Sequence, residues 1–198
     1  MIYYGRKVGT KKEHILGCAR KVFVEKGFRS VTMKDIVEAS EISRGGLYLY
    51  FSNTAEIFLE VLKRETEADD DVFSVSISED ATATDILLLF FKEQKKELLR
   101  RRGDLSIATY EFYFARGREE KENHLRDQYD EGVRILKHLI DQGIASGEFY
   151  EVDSSVFAGN IMLVIEGLKI LSRTRRISEK LVDTQFAHLL QQLCMEDE

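Results

Sequence analysis

The sequence contains no proline and no tryptophan, and only two cysteines, in 198 residues. Average usage would place about ten prolines in a chain of this length, and proline concentrates in turns, sheet edges and long loops. A fold close to all-helical is the simplest arrangement that does without it. Cys18 and Cys194 lie far apart and in no zinc-ligand or C-x-x-C spacing. Free thiols in a reducing, cytoplasmic setting are therefore expected, with no metal ligands. Long hydrophobic runs are also lacking. The longest, residues 86–91, falls well short of the roughly 20 residues that cross a bilayer, and residues 1–10 lack the apolar segment of a signal peptide. Neither export nor a membrane partner is expected.

Catalytic signatures are equally scarce. There is no G-x-S-x-G elbow, no G-x-G-x-x-G turn and no H-E-x-x-H, and His14, His124, His138 and His188 are isolated. Gly5 and Gly9 superficially suggest a phosphate loop, but three residues separate them and Thr-Lys follows, where a P-loop needs four and then Lys-Ser/Thr. These absences argue against an enzyme and against a cofactor.

What is present is a soluble-globular composition, 43% hydrophobic and 32% charged, with a net charge of −6 that is unevenly spread. Residues 1–55 hold 10 Lys and Arg against 5 Asp and Glu, whereas the remainder holds 19 against 30. A small basic module that meets nucleic acid, followed by a larger acidic body, fits that asymmetry.

Hydrophobic periodicity orders the chain. Ile15, Cys18, Ala19, Val22 and Phe23 recur on one face of a helix over 11–26 that Gly27 stops. Thr32, three residues before Asp35, reads as a capping box opening a helix over 33–40, and Ser43 caps a further short helix through Tyr50. Asn53 or Ser52 caps a fourth helix that runs to the acidic residues 67–71. Residues 72–82 read as a linker. Longer periodic segments follow over 83–102, 104–116, 119–146, 154–174 and 178–195, with Asp153 and Ser178 as caps.

Residues 32–51 carry the chemistry. Two capped helices too short to persist alone, joined by a three-residue turn, must pack across the helix before them, which describes a helix-turn-helix. The second helix presents Arg44, Gly45, Gly46, Tyr48 and Tyr50 outward and keeps Ile42, Leu47 and Phe51 for the core, although Tyr48 and Tyr50 could also serve as core. Adjacent glycines cost roughly 1 kcal/mol each in a helix interior, a cost that makes sense if the backbone must come close to a surface. DNA is such a surface, and Arg44 is long enough to fork onto a guanine edge.

The stretch 12–62 resembles the DNA-binding domain of TetR-family repressors. The resemblance rests on I-x-x-x-A-x-x-x-F-x-x-K-G-F at 15–28, TMKDIVEAS at 32–40 and SRGGLYLYFSNTAEIF at 43–58. It implies that Lys34 and Arg44 reach base edges and that Thr32, Tyr48 and Tyr50 bind phosphate. Together with Ser43, Gly45, Gly46, Asn53 and Thr54, these form the expected DNA-binding set. The sequence departs from the family pattern at Glu41, where the turn usually has glycine, at Gly46, where threonine is common, and at Thr54, where a phosphate-binding lysine is usual. Arg6, Lys7, Lys11 and Lys12 either replace the lost contacts from a basic arm or belong to a solvated tail.

Beyond the linker, Phe90, Phe91, Tyr110, Tyr113 and Phe114 crowd two successive helices. They make either a large core or the walls of a pocket for a lipophilic or cationic aromatic compound. The resemblance favours the pocket. The apolar faces of 154–172 and 178–195 either finish a monomer core or form half of a four-helix interface, and weak recognition by one small module favours a homodimer. The expected architecture is all-α: a three-helix helix-turn-helix DNA-binding domain at 8–68, then a larger helical ligand-binding and dimerisation domain at 72–198. The expected function is a repressor released from a palindromic double-stranded operator by a small ligand. Control by a protein partner, or by no ligand, is the alternative.

Overall fold

The computed structural model describes residues 10–74, 81–100, 104–116 and 123–194, those at 66–74 by backbone alone. The described residues form helices α1 (Lys11–Lys26), α2 (Met33–Ser40), α3 (Arg44–Tyr48), α4 (Thr54–Ser74), α5 (Ala83–Leu99), α6 (Ser106–Arg116), α7 (His124–Ser146), α8 (Ser154–Thr174) and α9 (Glu179–Leu193). Among them the one piece of β-structure is an isolated bridge between Phe149 and Cys194.

Local capping chemistry sets most boundaries. Thr10, Thr32 and Thr82 each form a full capping box with an acidic residue three positions on. Ser43, Asn123, Asp153 and Ser178 accept a backbone N–H from the first turn of the helix that follows each. The linker expected at 72–82 is shorter than its polar composition implies. Residues 72–74 still belong to α4, Thr82 is already the cap of α5, and 75–80 lie outside the described residues. Likewise α3 closes at Tyr48 rather than Tyr50, where the Tyr50 N–H tightens to the i−3 carbonyl of Leu47 at 3.0 Å and Phe51 enters the core.

The chain divides into two compact units, and the division does not follow chain order. The first unit gathers α1 to α4 together with α6. Its core is a run of aromatic rings: Phe23, Phe28, Phe58 and Phe112 lie with centroids 4.7–6.0 Å apart, in edge-on, tilted and stacked pairs. Phe112 brings α6 into this core. Beside it the Glu111 carboxylate accepts the Arg29 backbone N–H at 3.0 Å. Gly27, at φ +73°, closes α1, and a Cβ there would stand 2.6 Å from Glu111 Oε2. The positive φ favours glycine at this position, and any Cβ there would make the Glu111 carboxylate shift from its place. The expected domain boundary near 70 left residues 104–116 in the second domain. Phe112 and Glu111 attach them to the first, through contacts about 50 to 80 residues distant in sequence.

The second unit holds α5, α7, α8 and α9. Its core is mainly aliphatic, with Leu87, Leu136, Ile140, Ile161, Ile165, Val182 and Leu193 among its buried members. Gly147 at φ +81° caps α7, and Phe149 folds back so closely over Gly143 that a Cβ there would overlap its ring. Glu148, between them, caps α5 from outside the helix. It accepts the Thr84 and Ala83 backbone N–H groups at 2.8 and 3.2 Å and the Thr84 and Ser146 hydroxyls at 2.8 Å each. The Thr84 N–H foremost, joined by these other donors, holds its carboxyl down at about 2. Among the described residues α8 alone has the length and apolarity to cross a bilayer. Its Ala158, Ile161, Ile165 and Leu168 side is part of this core, and Glu166 and Lys169 pair at 2.7 Å in its second half.

Candidate nucleic-acid interface

The helix-turn-helix is held by short polar contacts on top of the aromatic core. The Thr32 amide and hydroxyl both donate to Asp35 Oδ2, at 2.7 and 2.6 Å, and the Asp35 amide returns to the Thr32 hydroxyl at 3.3 Å. Lys26 at the end of α1 donates to the other Asp35 oxygen at 2.6 Å. This ammonium, then the Thr32 donors, hold the Asp35 carboxyl far below the ordinary carboxylate range. At the other end of α2 the buried Ser40 hydroxyl donates to the Ile36 carbonyl at 2.6 Å, and His14 Nε2 of α1 donates to the Ser40 carbonyl at 3.0 Å.

Glu41 then takes φ 54°, ψ 30°, the left-handed conformation that glycine adopts freely. The departure noted in the sequence is accommodated rather than avoided. The strain of roughly 1–2 kcal/mol is offset by contacts on both sides, the His14 anchor before it and the Ser43 cap after it. The Ser43 hydroxyl accepts the Gly46 amide at 3.1 Å and opens α3.

On α3 the inward side is Leu47, fully buried, followed by Phe51 just beyond the helix. The outward side carries Arg44, Gly45, Tyr48 and, past the last turn, Leu49 and Tyr50. The Arg44 guanidinium sits over the Tyr48 ring at 5.7 Å, which braces a long side chain that would otherwise be free to wander. Lys34 projects from α2 with 83% of its side chain exposed, 3.6 Å from Glu38. Asn53 accepts the Glu56 amide at 2.9 Å and so caps α4.

The expected DNA-binding residues thus fall into two groups. Lys34, Arg44, Gly45, Tyr48 and Tyr50 are exposed on the motif. Thr32, Ser43 and Asn53 spend their side-chain oxygens on caps, Gly46 sits against the Ser43 hydroxyl, and Thr54 is half-buried. Of the basic arm, residues 6 and 7 lie outside the described residues. Lys11 is exposed on α1, but Lys12 is committed inward. It pairs with Glu60 of α4 at 2.6 Å and lies 5.7 Å above the Phe51 ring.

Leu49 is the residue that the sequence reading missed. It is 85% exposed, more than any other large hydrophobic side chain among the described residues. Helical geometry could have exposed it. Successive residues turn by about 100°, so with Leu47 in the core, Leu49 must point almost directly away.

The five aromatic residues expected to line a pocket separate between the units. Phe91 stacks on Phe186 at 4.5 Å inside the second core, with Phe90 half-buried beside it. In the first unit Tyr113 is buried edge-on against Phe112, whereas Tyr110 stacks at 5.7 Å on Phe114, which is 72% exposed. Among the described residues no cluster of His, Cys, Asp and Glu could hold a metal ion.

Comparison with known proteins agrees with this geometry. Residues 15–61 match the model for bacterial regulatory proteins of the tetR family, and residues 86–182 match that for a tetracyclin repressor-like C-terminal domain. The HTH-type transcriptional regulator YfiR of Bacillus subtilis (strain 168) is 35% identical over 144 residues, 72% of this chain and 69% of YfiR. The HTH-type transcriptional regulator QacR of Staphylococcus aureus (strain Mu50 / ATCC 700699) is 24% identical, over 86% of this chain and 90% of QacR. A transcriptional regulator of Saccharomonospora viridis, solved in complex with choline, superposes with a TM-score of 0.78 over 93% of this chain and 98% of its own, at 19% identity.

Proposed function

The chain belongs to the TetR family of bacterial transcriptional regulators, DNA-binding proteins rather than enzymes, and from that premise we propose that it is a cytoplasmic repressor. In this reading it holds a roughly palindromic operator as a homodimer and lets go when a small lipophilic or cationic aromatic compound binds. The observation that carries the DNA half is the outward face of α3, where Arg44 is braced on Tyr48 beside the bare backbone of Gly45. Arg44 reads a base edge, Lys34 adds a second cation from α2, and Tyr48 and Tyr50 hold the phosphates on either side.

Dimerisation is supported by a second uncovered face. On α8, Val156, Asn160, Leu163, Gly167, Ile170 and Thr174 recur every three or four residues, and Val156, Leu163 and Ile170 are 68%, 64% and 48% exposed. On α9 the exposed Thr184, Ala187, His188 and Gln191 include no Asp, Glu, Lys or Arg. Two such helices meeting their copies make a four-helix interface, and a two-fold dimer reads a two-fold operator.

Ligand control is supported by α6. Its exposed Phe114, stacked on the half-buried Tyr110, offers an aromatic pair at the surface, while the same helix grips the end of α1 through Glu111 and Phe112. A cation or an aromatic compound held at Tyr110 and Phe114 would pull on the segment that leads into α2. The choline complex of the S. viridis regulator makes a cationic ligand a reasonable first probe.

The test begins with selection of the operator from random duplex, followed by footprinting and titration with hydrophobic and cationic aromatic compounds. An inverted repeat, protected by two copies and released by at least one compound, is expected. A site without a repeat would overturn the dimeric reading. If no compound in a broad panel alters operator affinity or the protein's spectra, ligand control fails and the protein-partner reading replaces it.

A further inference from the structure

Gly45 and Leu49 are one helical step of four apart, and the Leu49 N–H donates to the Gly45 carbonyl at 3.2 Å, so the two stand one above the other on the outward face of α3. An exposed leucine alone says little, since isolated apolar side chains are common on protein surfaces. Its neighbour makes it informative. Gly45 does not have a positive φ, and a Cβ added there would meet nothing within 4 Å. Among the described residues nothing therefore asks for glycine, although glycine weakens a helix by roughly 0.5–1 kcal/mol relative to alanine. Gly46, by contrast, donates its amide to the capping Ser43 hydroxyl at 3.1 Å, and a Cβ there would also come within 3.1 Å of that oxygen. The open space at Gly45 lies on the side where Leu49 projects, where an external surface can approach the backbone.

Resting on the reading of α3 as the recognition helix, we propose that Gly45 and Leu49 together form a seat for the 5-methyl group of a thymine in the operator's major groove, making Leu49 a specificity-determining residue. The bare backbone at Gly45 lets the base edge approach, and the leucine side chain covers the methyl. The major-groove edge of thymine is the one base edge in unmodified DNA that carries an apolar group. Arg44 and Tyr48 flank this seat on the adjoining strip of the helix, so the apolar contact adds a readout to the guanine-type contact of Arg44. The same seat would accept 5-methylcytosine, which carries its methyl group at the same ring position.

The experiment takes the full chain with the operator obtained by selection, and replaces each half-site thymine in turn by uracil, which removes one methyl group and leaves base pairing intact. At one position per half-site the wild-type protein is expected to bind about fourfold more weakly, the effect of exposing one buried methyl-sized group. Leu49→Ala, a change at an exposed site, should bind the thymine and uracil duplexes equally. Gly45→Ala should melt at a higher temperature than wild type and yet bind the operator more weakly, a combination that a merely structural glycine would not produce. The proposal is overturned if wild type binds the operator tightly but ignores every thymine-to-uracil change, in which case recognition by α3 stands without this seat. It is also overturned if Leu49→Ala weakens all duplexes alike, or alters self-association and not DNA binding. Failure to prefer any duplex sequence would remove the recognition-helix reading itself, and this proposal with it.

Discussion

The outward faces of α3 and α8 are both left uncovered by the described residues, but they are made of opposite materials. Across one and a half turns α3 sets a guanidinium, a phenol ring, a bare glycine and one leucine. Along five turns α8 sets aliphatic and small uncharged residues at heptad spacing. The first suits a polyanion read one base at a time, where a few directional groups decide the outcome. The second suits another copy of itself, where area and the absence of charge decide it. The supports behind them differ accordingly. The α3 face depends on caps and on the strained Glu41, so its position is set by individual hydrogen bonds, whereas α8 is held by broad aliphatic packing that tolerates single losses.

The comparison is broken most strongly by moving charge onto the uncharged face. Gly167→Glu has open space around the new side chain and should leave the protomer folded, yet it should weaken the dimer by several kcal/mol, seen as a monomer in sedimentation. An unchanged dimer would move the interface off α8. Next in size, Arg44→Ala should cost about 1–3 kcal/mol on the operator and little on random duplex, measured by competition binding. Equal losses on both would make Arg44 a backbone contact.

Acidification tests the supports. The Glu148 carboxyl is held at about 2 in the folded protein, below its ordinary value of 4.5. A lowered folded pKa means that its stabilisation is fully present above about pH 4.5 and is lost as pH falls through the folded value near 2. After solvent screening this contributes roughly 1 kcal/mol. Glu148→Gln should therefore lower the melting temperature at pH 6 and bring wild type and variant together near pH 2. An effect of similar size is expected from Tyr48→Phe, which removes one hydroxyl and should weaken specific and random duplexes alike by about 0.5–1.5 kcal/mol, read from binding at fixed salt. For ligand control the informative variant is Phe114→Ala. Tyr113→Ala would open the core that carries Phe112, and would disturb DNA binding whether or not a ligand exists.

Much of this was legible residue by residue. Thr32 with Asp35, Ser43, Asn53, Asp153 and Ser178 announce helix starts, because a cap is a contact within three or four positions. The left-handed turn at Glu41 was signalled only by the family resemblance, which has glycine there, and not by any local contact. The place of Lys12 was signalled by neither. It looked like part of a basic arm, and only the approach of α4 brings Glu60 and Phe51 to it.

Sequence alone therefore determined the order of the helices, the caps at Thr32, Ser43, Asn53, Asp153 and Ser178, and the helix-turn-helix with its family, since each depends on local spacing and local hydrogen bonds. Tertiary structure decided that α6 joins the DNA-binding unit, that Phe91 and Tyr113 are core while Phe114 is exposed, and that no described residue comes within 4 Å of where a Cβ at Gly45 would stand. These outcomes depend on pairs such as Arg29 with Glu111 and Phe28 with Phe112, which lie more than 80 residues apart. No periodicity in a single helix encodes which distant face will cover it, because burial is a property of two surfaces and a sequence window contains only one.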